Sequence, residues 1–210
     1  MDIELRTTKK KSFGRRKLSN VTLGVVHYTD STTLEGTANW LDDPRAQVST
    51  HYLIGKSGKV IKYNDLRTKL WHAGRSEWNG RKHCNKFSIG YELIGTATSG
   101  FTVEQYDTLV ELLLCNMTVC PLEAVVGHEQ ISPGRKFDPG KDFSWHLLSE
   151  RLHENCRVKQ VGTKLKTVGP LNYVIAVGEP LTSVSLNLPE DTLIETVEMP
   201  SGKDPWWKIW

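Results

Sequence analysis

The chain has 210 residues, 38% hydrophobic and 24% charged, which suits one full-sized domain with an appendage and excludes a wholly disordered polypeptide. Its net charge of +3 is unevenly placed: residues 1–20 carry +5, while residues 21–157 and 158–210 carry −1 each. A basic nucleic-acid-binding body is thereby excluded, and any attraction to polyanions is confined to an N-terminal arm.

Residues 1–20, with Lys9-Lys10-Lys11 and Arg15-Arg16-Lys17, read as a basic flexible arm. No apolar signal-peptide segment follows it and no run reaches transmembrane length, so synthesis in the cytoplasm without an export signal is expected. Val21 to Val26 is a β-branched apolar run predicting a buried strand that ends at His27. A helix is predicted over Thr32 to Leu41, stopped near Pro44. Val48 to Ile54 and Val60 to Tyr63, joined by Lys56-Ser57-Gly58, predict a hairpin.

Phe87 to Leu93 predicts a further strand. Val103, Tyr106, Leu109, Val110, Leu113 and Met117 follow a helical period, with Thr102 and Gln105 suited to a capping box. Ala124 to Val126 is a short strand before Gly127-His128, and Phe143 to His153 a last amphipathic helix. Cys84, Cys115, Cys120 and Cys156 are too few for a disulfide scaffold and are expected as buried free thiols. From about Val158 the texture turns β-rich, predicting a small C-terminal module over 158–210, or alternatively a tail wrapped on the first domain. Trp206-Trp207-Lys208-Ile209-Trp210 gathers three of the seven tryptophans there, readable as strand packing or as a sugar-binding face.

His27 and His128 each follow an apolar strand, and Asp138 lies ten residues beyond the second. Two imidazoles and a carboxylate can form a three-ligand zinc site with a fourth position open to water. On spacing alone they can equally be two histidines and a turn aspartate with no common partner.

The stretches Trp71-His-Ala-Gly-Arg-Ser-Glu-Trp-Asn-Gly-Arg81, Cys84-Asn-Lys-Phe-Ser-Ile-Gly-Tyr-Glu-Leu-Ile-Gly-Thr96 and Arg135-Lys-Phe-Asp-Pro-Gly140, with His27-Tyr28 and Gly127-His128, resemble the zinc-dependent N-acetylmuramoyl-L-alanine amidases of the AmpD type over residues 21–153. The resemblance implies an α/β fold, a mixed central sheet flanked by helices, in a zinc amidase domain spanning 21–157. It implies Zn2+ held by His27, His128 and Asp138, with Glu92 as general base and Lys136 stabilising an oxyanion. Trp71, His72 and Ala73 are candidates to line a groove for muramic acid and peptide, and Arg81 and Asn85 to hold peptide carboxylates; loop packing is the alternative for all five. Thr50, before His51, stands where phage-lysozyme amidases carry a tyrosine, which leaves the role of His51 open.

The implied activity is hydrolysis of the amide between N-acetylmuramic acid and L-alanine in peptidoglycan. The basic arm and the C-terminal module, loosely similar at Gly202 to Ile209 to SH3-like wall-binding strands, favour a phage endolysin whose arm meets an anionic envelope. The alternatives are a cytosolic anhydromuropeptide-recycling amidase and a non-catalytic peptidoglycan-binding or regulatory protein on the same scaffold.

Overall fold

The computed structural model describes residues 2–8 and 14–155, together with the short strands Lys159–Val161, Lys164–Lys166 and Val174–Ile175. The element order is β1 (Ile3–Arg6), β2 (Leu23–Tyr28), α1 (Leu34–Asp42), β3 (Tyr52–Ile54), β4 (Val60–Tyr63), β5 (Glu77–Trp78), β6 (Arg81–Lys82), β7 (Ser88–Leu93), α2 (Val103–Met117), β8 (Ala124–Gly127), α3 (His128–Ile131) and α4 (Trp145–Asn155). The central sheet runs β1-β4-β3-β7-β2-β8, and Val174–Ile175 pairs parallel with β8 at its far edge. β2 lies between β7 and β8, parallel to both, while β3 and β4 form the antiparallel hairpin. The expected α/β architecture is the one observed.

Side-chain alternation divides the sheet into two faces. Val26, Tyr52, Ile54, Ile89, Tyr91, Leu93 and Val125 pack with α2 and α4 residues in the largest core cluster. Tyr52 and Tyr91 stack there at 5.3 Å, and Asn116 of α2 accepts from the Tyr52 hydroxyl at 2.9 Å and donates to that of Tyr91 at 2.8 Å. On the other face, Leu34, Ala38 and Leu41 of α1 cover Leu53, Ile61 and Tyr63.

The capping box forms as predicted: Thr102 Oγ1 accepts from Gln105 N at 3.2 Å, and Gln105 Oε1 accepts from Thr102 N at 3.1 Å. The last helix begins two residues later than expected because Ser144 Oγ accepts from Leu147 N and so caps it. The first hairpin strand is shorter than predicted, since Ser49 turns aside to exchange hydrogen bonds with the backbone of Trp71.

The N-terminal segment is not a free arm over its described residues. Ile3–Arg6 extends the sheet in parallel with β4. Arg6 pairs with Glu4, Glu35 and Asp42, and Arg15 with Asp65. Arg16 is buried, donating to the carbonyls of Leu66 at 2.9 Å, Asn85 at 3.0 Å and Ser88 at 2.7 Å. Alternate exposure along Ile3–Arg6 and the ion pairs of Arg6 outweigh the tendency of a basic, Gly-containing stretch to stay loose. Lys9 to Lys11 lie outside the described residues, as do Cys156, the terminal tryptophans and most of the β-rich module. Cys84, Cys115 and Cys120 are free, but Cys115 is exposed rather than buried, since it stands on the outer side of α2.

Candidate metal centre

The site lies where three adjacent parallel strands end. His27 on β2 is the register partner of Glu92 on β7, and Val26 that of Gly127, after which the chain turns into α3 at His128. Strand ends are where a sheet lets side chains converge on one cleft. Gly127 permits the close return of the Asp138 segment: a Cβ there would lie 2.8 Å from Pro139 Cδ. The backbone is tied at that crossing by Glu129 N donating to Asp138 O at 2.9 Å.

His27 Nδ1 lies 2.8 Å from Asp138 Oδ2 and 3.0 Å from His128 Nδ1, and His128 Nδ1 lies 3.1 Å from Asp138 Oδ2. All three residues are buried, and their ligand atoms lie within 4.8 Å of one another. The predicted trio therefore comes together. His128 Nε2 is 3.1 Å from the carbonyl of Ala73, which can only accept, and 3.4 Å from Arg135 Nη2, which can only donate; the shorter contact places the proton on Nε2 and leaves Nδ1 bare. Bare Nδ1 and Asp138 Oδ2 are two acceptors in contact, an arrangement that requires a proton or a cation between them.

Electrostatics agree with that requirement. Burial pushes the Asp138 carboxyl up, but a proton or cation shared with the Nδ1 atoms of His128 and His27 outweighs it and holds the group well below the usual carboxylate range. Burial drives His27 down to about 4 despite Asp138, so the ring is neutral at physiological pH, the state a metal ligand needs. Burial also raises the half-buried Glu92 well above an ordinary glutamate, with Asp138 adding to the rise and Lys136 opposing it.

A cleft of about 420 Å³ opens over these groups, lined by His27, His72, Glu92, His128, Lys136 and Asp138 and by a rim that includes Tyr28, Asp30, Trp40, Val48 and Phe137. Trp40 is 56% exposed and Phe137 71%, so two aromatic rings on the rim face solvent beside polar neighbours such as Asp30. Neither was among the sequence candidates. Trp40 was detectable as an aromatic off the Leu34, Ala38, Leu41 stripe of α1.

Of the five groove candidates, His72 alone lines the cleft. Asn85 Oδ1 instead accepts from the backbone of His72 at 3.1 Å and of Ala73 at 2.8 Å, fixing the loop. Arg81 stacks 4.0 Å above Phe87 and donates to Thr22, away from the cleft. Trp71 and Ala73 serve the loop through their backbones, to Ser49 and to His128 respectively. Arg135 was not foreseen; it donates to the carbonyls of Ala73 and Arg75 and to Ser132 Oγ, joining this loop to α3. His51 is buried outside the cleft lining, accepting from Gly90 N at 3.1 Å, with Nε2 close to Thr68 O and Arg16.

The family model of N-acetylmuramoyl-L-alanine amidase matches residues 17–141. The 1,6-anhydro-N-acetylmuramyl-L-alanine amidase AmpD of Citrobacter freundii is 37% identical over 145 residues, covering 60% of this chain and 78% of that protein. The AmpD of Haemophilus influenzae is 43% identical over 102 residues, 47% of this chain; the match spans about half of that relative, 55% of its length. The solved complex of Escherichia coli AmiD with anhydro-N-acetylmuramic acid-L-Ala-D-γ-Glu-L-Lys shares the fold at a TM-score of 0.58 and 29% identity, over 63% of this chain and 57% of that one. An endolysin amidase of Clostridium intestinale shares it at 0.53 and 15% identity, over 71% and 95%.

Proposed function

The chain belongs to the N-acetylmuramoyl-L-alanine amidase family, and on that premise we propose that it is a zinc hydrolase of the amide joining the lactyl group of muramic acid to L-alanine, acting on soluble anhydromuropeptides. The observation that carries the reading is the contact of bare His128 Nδ1 with Asp138 Oδ2, with His27 Nδ1 completing the triangle. Two imidazole nitrogens and one carboxylate oxygen suit zinc in number and donor type.

When bound, zinc supplies a water acidified to near neutral pH and polarises the scissile carbonyl. Glu92 stands beside His27 in the sheet and accepts the proton of the attacking water. It then returns that proton to the leaving amine of L-alanine, whose departure needs it. Its raised proton affinity suits both halves of that task. Lys136, which lines the same cleft, offers a positive charge to the developing oxyanion. The exposed rings of Trp40 and Phe137 give the sugar and its lactyl methyl an apolar face.

The substrate setting rests on the relatives. Those at 37% and 43% identity bear the name of anhydromuropeptide amidases, whereas the endolysin at 15% supports the fold alone. The expectation of an endolysin leaned on a free basic arm and a C-terminal module; the arm's share loses weight because Arg6 and Arg15 are paired and Arg16 is buried, and most of the module lies outside the described residues.

Purified protein should contain about one zinc per chain, the stoichiometry of a three-ligand catalytic site, and lose activity to a chelator. It should release peptide from anhydromuramyl tripeptide much faster than from polymeric wall. Faster release from wall would restore the endolysin setting. Wild-type protein carrying zinc yet inert on both would point to a binding protein.

A further inference from the structure

His72 is buried between the cleft and the sheet, and the reaction steps above leave it without a task. Its Nδ1 lies 3.1 Å from His27 Nε2, and its Nε2 lies 3.1 Å from Ser88 Oγ. Ser88 Oγ in turn lies 2.7 Å from the carbonyl oxygen of Cys84. The two rings meet edge to face, with centroids 5.3 Å apart.

The direction of these bonds follows from their far end. A carbonyl oxygen only accepts, so Ser88 spends its single hydroxyl proton on Cys84. Ser88 Oγ must then accept from His72, which places the His72 proton on Nε2 and leaves its Nδ1 bare. Bare Nδ1 accepts from His27, so the His27 proton sits on Nε2 and its Nδ1 faces His128 and Asp138 with an open lone pair. A reversed chain would leave the Cys84 carbonyl facing an oxygen at 2.7 Å with no hydrogen between them.

We propose that His72 is a positioning residue: with Ser88 and the Cys84 carbonyl it forms a one-way relay that fixes the tautomer and the ring plane of His27 for metal binding. The proposal rests on the reading of His27 as a zinc ligand. His128 achieves the same state in one step through Ala73 O. Among the described residues His27 Nε2 meets His72 rather than a carbonyl, and it uses two side chains to arrive at one.

The strand itself makes room for the relay. A Cβ on Gly90 would lie 2.5 Å from His72 Cγ and 2.8 Å from its Nδ1. His72 is also held from behind, its backbone N–H donating to Asn85 Oδ1. Partners that orient a metal-binding imidazole through its second nitrogen commonly change metal affinity by about 10- to 100-fold.

The test uses the full chain labelled with 15N-histidine, examined by long-range proton–nitrogen spectra before and after zinc is added, with zinc affinity measured by competition against a chromophoric chelator. Both His27 and His72 should appear as the Nε2–H tautomer already in the metal-free chain. Ser88→Ala and His72→Leu should each weaken zinc binding by about 10- to 100-fold. His72→Asn, whose Oδ1 can stand where Nδ1 stood, should stay close to wild type. An Nδ1–H tautomer on either ring of the wild-type chain overturns the relay, as does unchanged zinc affinity in both Ser88→Ala and His72→Leu. The wild-type spectrum decides even if a variant does not fold. A chain that binds no zinc would sink the amidase reading, whereas the metal-free spectrum would still report on the relay.

Discussion

His27 and Glu92 are register partners on adjacent parallel strands, so both side chains leave the same face of the sheet, the face turned away from α2. A slip of one residue between β2 and β7 would send one of them into the Tyr52–Tyr91 core and leave the other without its neighbour. The apolar residues that alternate with them, Val26, Tyr91 and Leu93, are fully or almost fully buried, which makes such a slip costly. The geometry of the site is thus set by the packing of the opposite face.

Glu92 and Lys136 should separate metal binding from turnover. Neither belongs to the triangle of His27, His128 and Asp138, so Glu92→Gln and Lys136→Met should retain zinc by elemental analysis. Glu92→Gln should lower kcat by about a hundred- to ten-thousandfold, the usual worth of a general base. Lys136→Met should lower it by about a hundred- to a thousandfold with little change in KM, since its charge meets one that exists only during reaction. Wild-type kcat in either variant would remove that residue from the chemistry.

The pH dependence follows from the raised carboxyl of Glu92. The protonated form, which cannot act as base, persists to higher pH than for an ordinary glutamate, so kcat/KM should rise with pH on its acid side through that elevated value. Lys136 favours the ionised carboxylate. Its replacement by Met should therefore move the acid limb of the residual activity to higher pH, not lower. Profiles of the zinc-loaded wild type and Lys136→Met enzymes would show this as a displacement between them. Coincident limbs would mean that Lys136 does not act on Glu92.

The strands and helices were legible because each has a local signature, such as the apolar runs ending at His27 and His128 and the capping box at Thr102, whereas the metal trio was legible only through the family resemblance, since its spacing alone leaves it open. What escaped depended on contacts distant in sequence. The seven basic residues of the first 20 look alike in sequence, and nothing local says that Arg16 will meet carbonyls 50 to 72 residues away. Likewise Arg81 and Asn85 look suited to peptide carboxylates, but Phe87 and the backbone of His72 and Ala73 claim them. Trp40 and Phe137 give no local signal of the cleft either, because their exposure at its rim is set by the fold.

Gly90→Ala adds one methyl group where the His72 ring lies. Its Cβ would sit 2.5 Å from Cγ and 2.9 Å from Cβ of His72, the anchored end of the side chain, which cannot swing aside as a flexible tip would. Overpacking of this kind costs about 1–3 kcal/mol, so the melting temperature should fall. Zinc affinity should fall too, because the displaced ring no longer meets His27 Nε2. A variant as stable as wild type with unaltered zinc binding would mean that the ring has space to move that the packed structure does not reveal.

Removing residues 1–19 should damage the fold rather than merely weaken attraction to polyanions. The deletion takes away β1 and the Arg16 guanidinium, which donates to Leu66 O, Asn85 O and Ser88 O. Each buried acceptor left without a donor costs about 1–3 kcal/mol, so three together amount to several kcal/mol, a large part of the stability of a domain. Arg16→Met isolates that contribution, and Arg16→Lys should rescue it poorly, since one ammonium cannot span three carbonyls as a planar guanidinium does. Because Ser88 and Asn85 also hold His72, zinc affinity should decline along with the denaturation midpoint in both variants. A deletion of 1–19 that melts with the wild type would show that the carbonyls find water instead, and would return the segment to the role of a detachable arm.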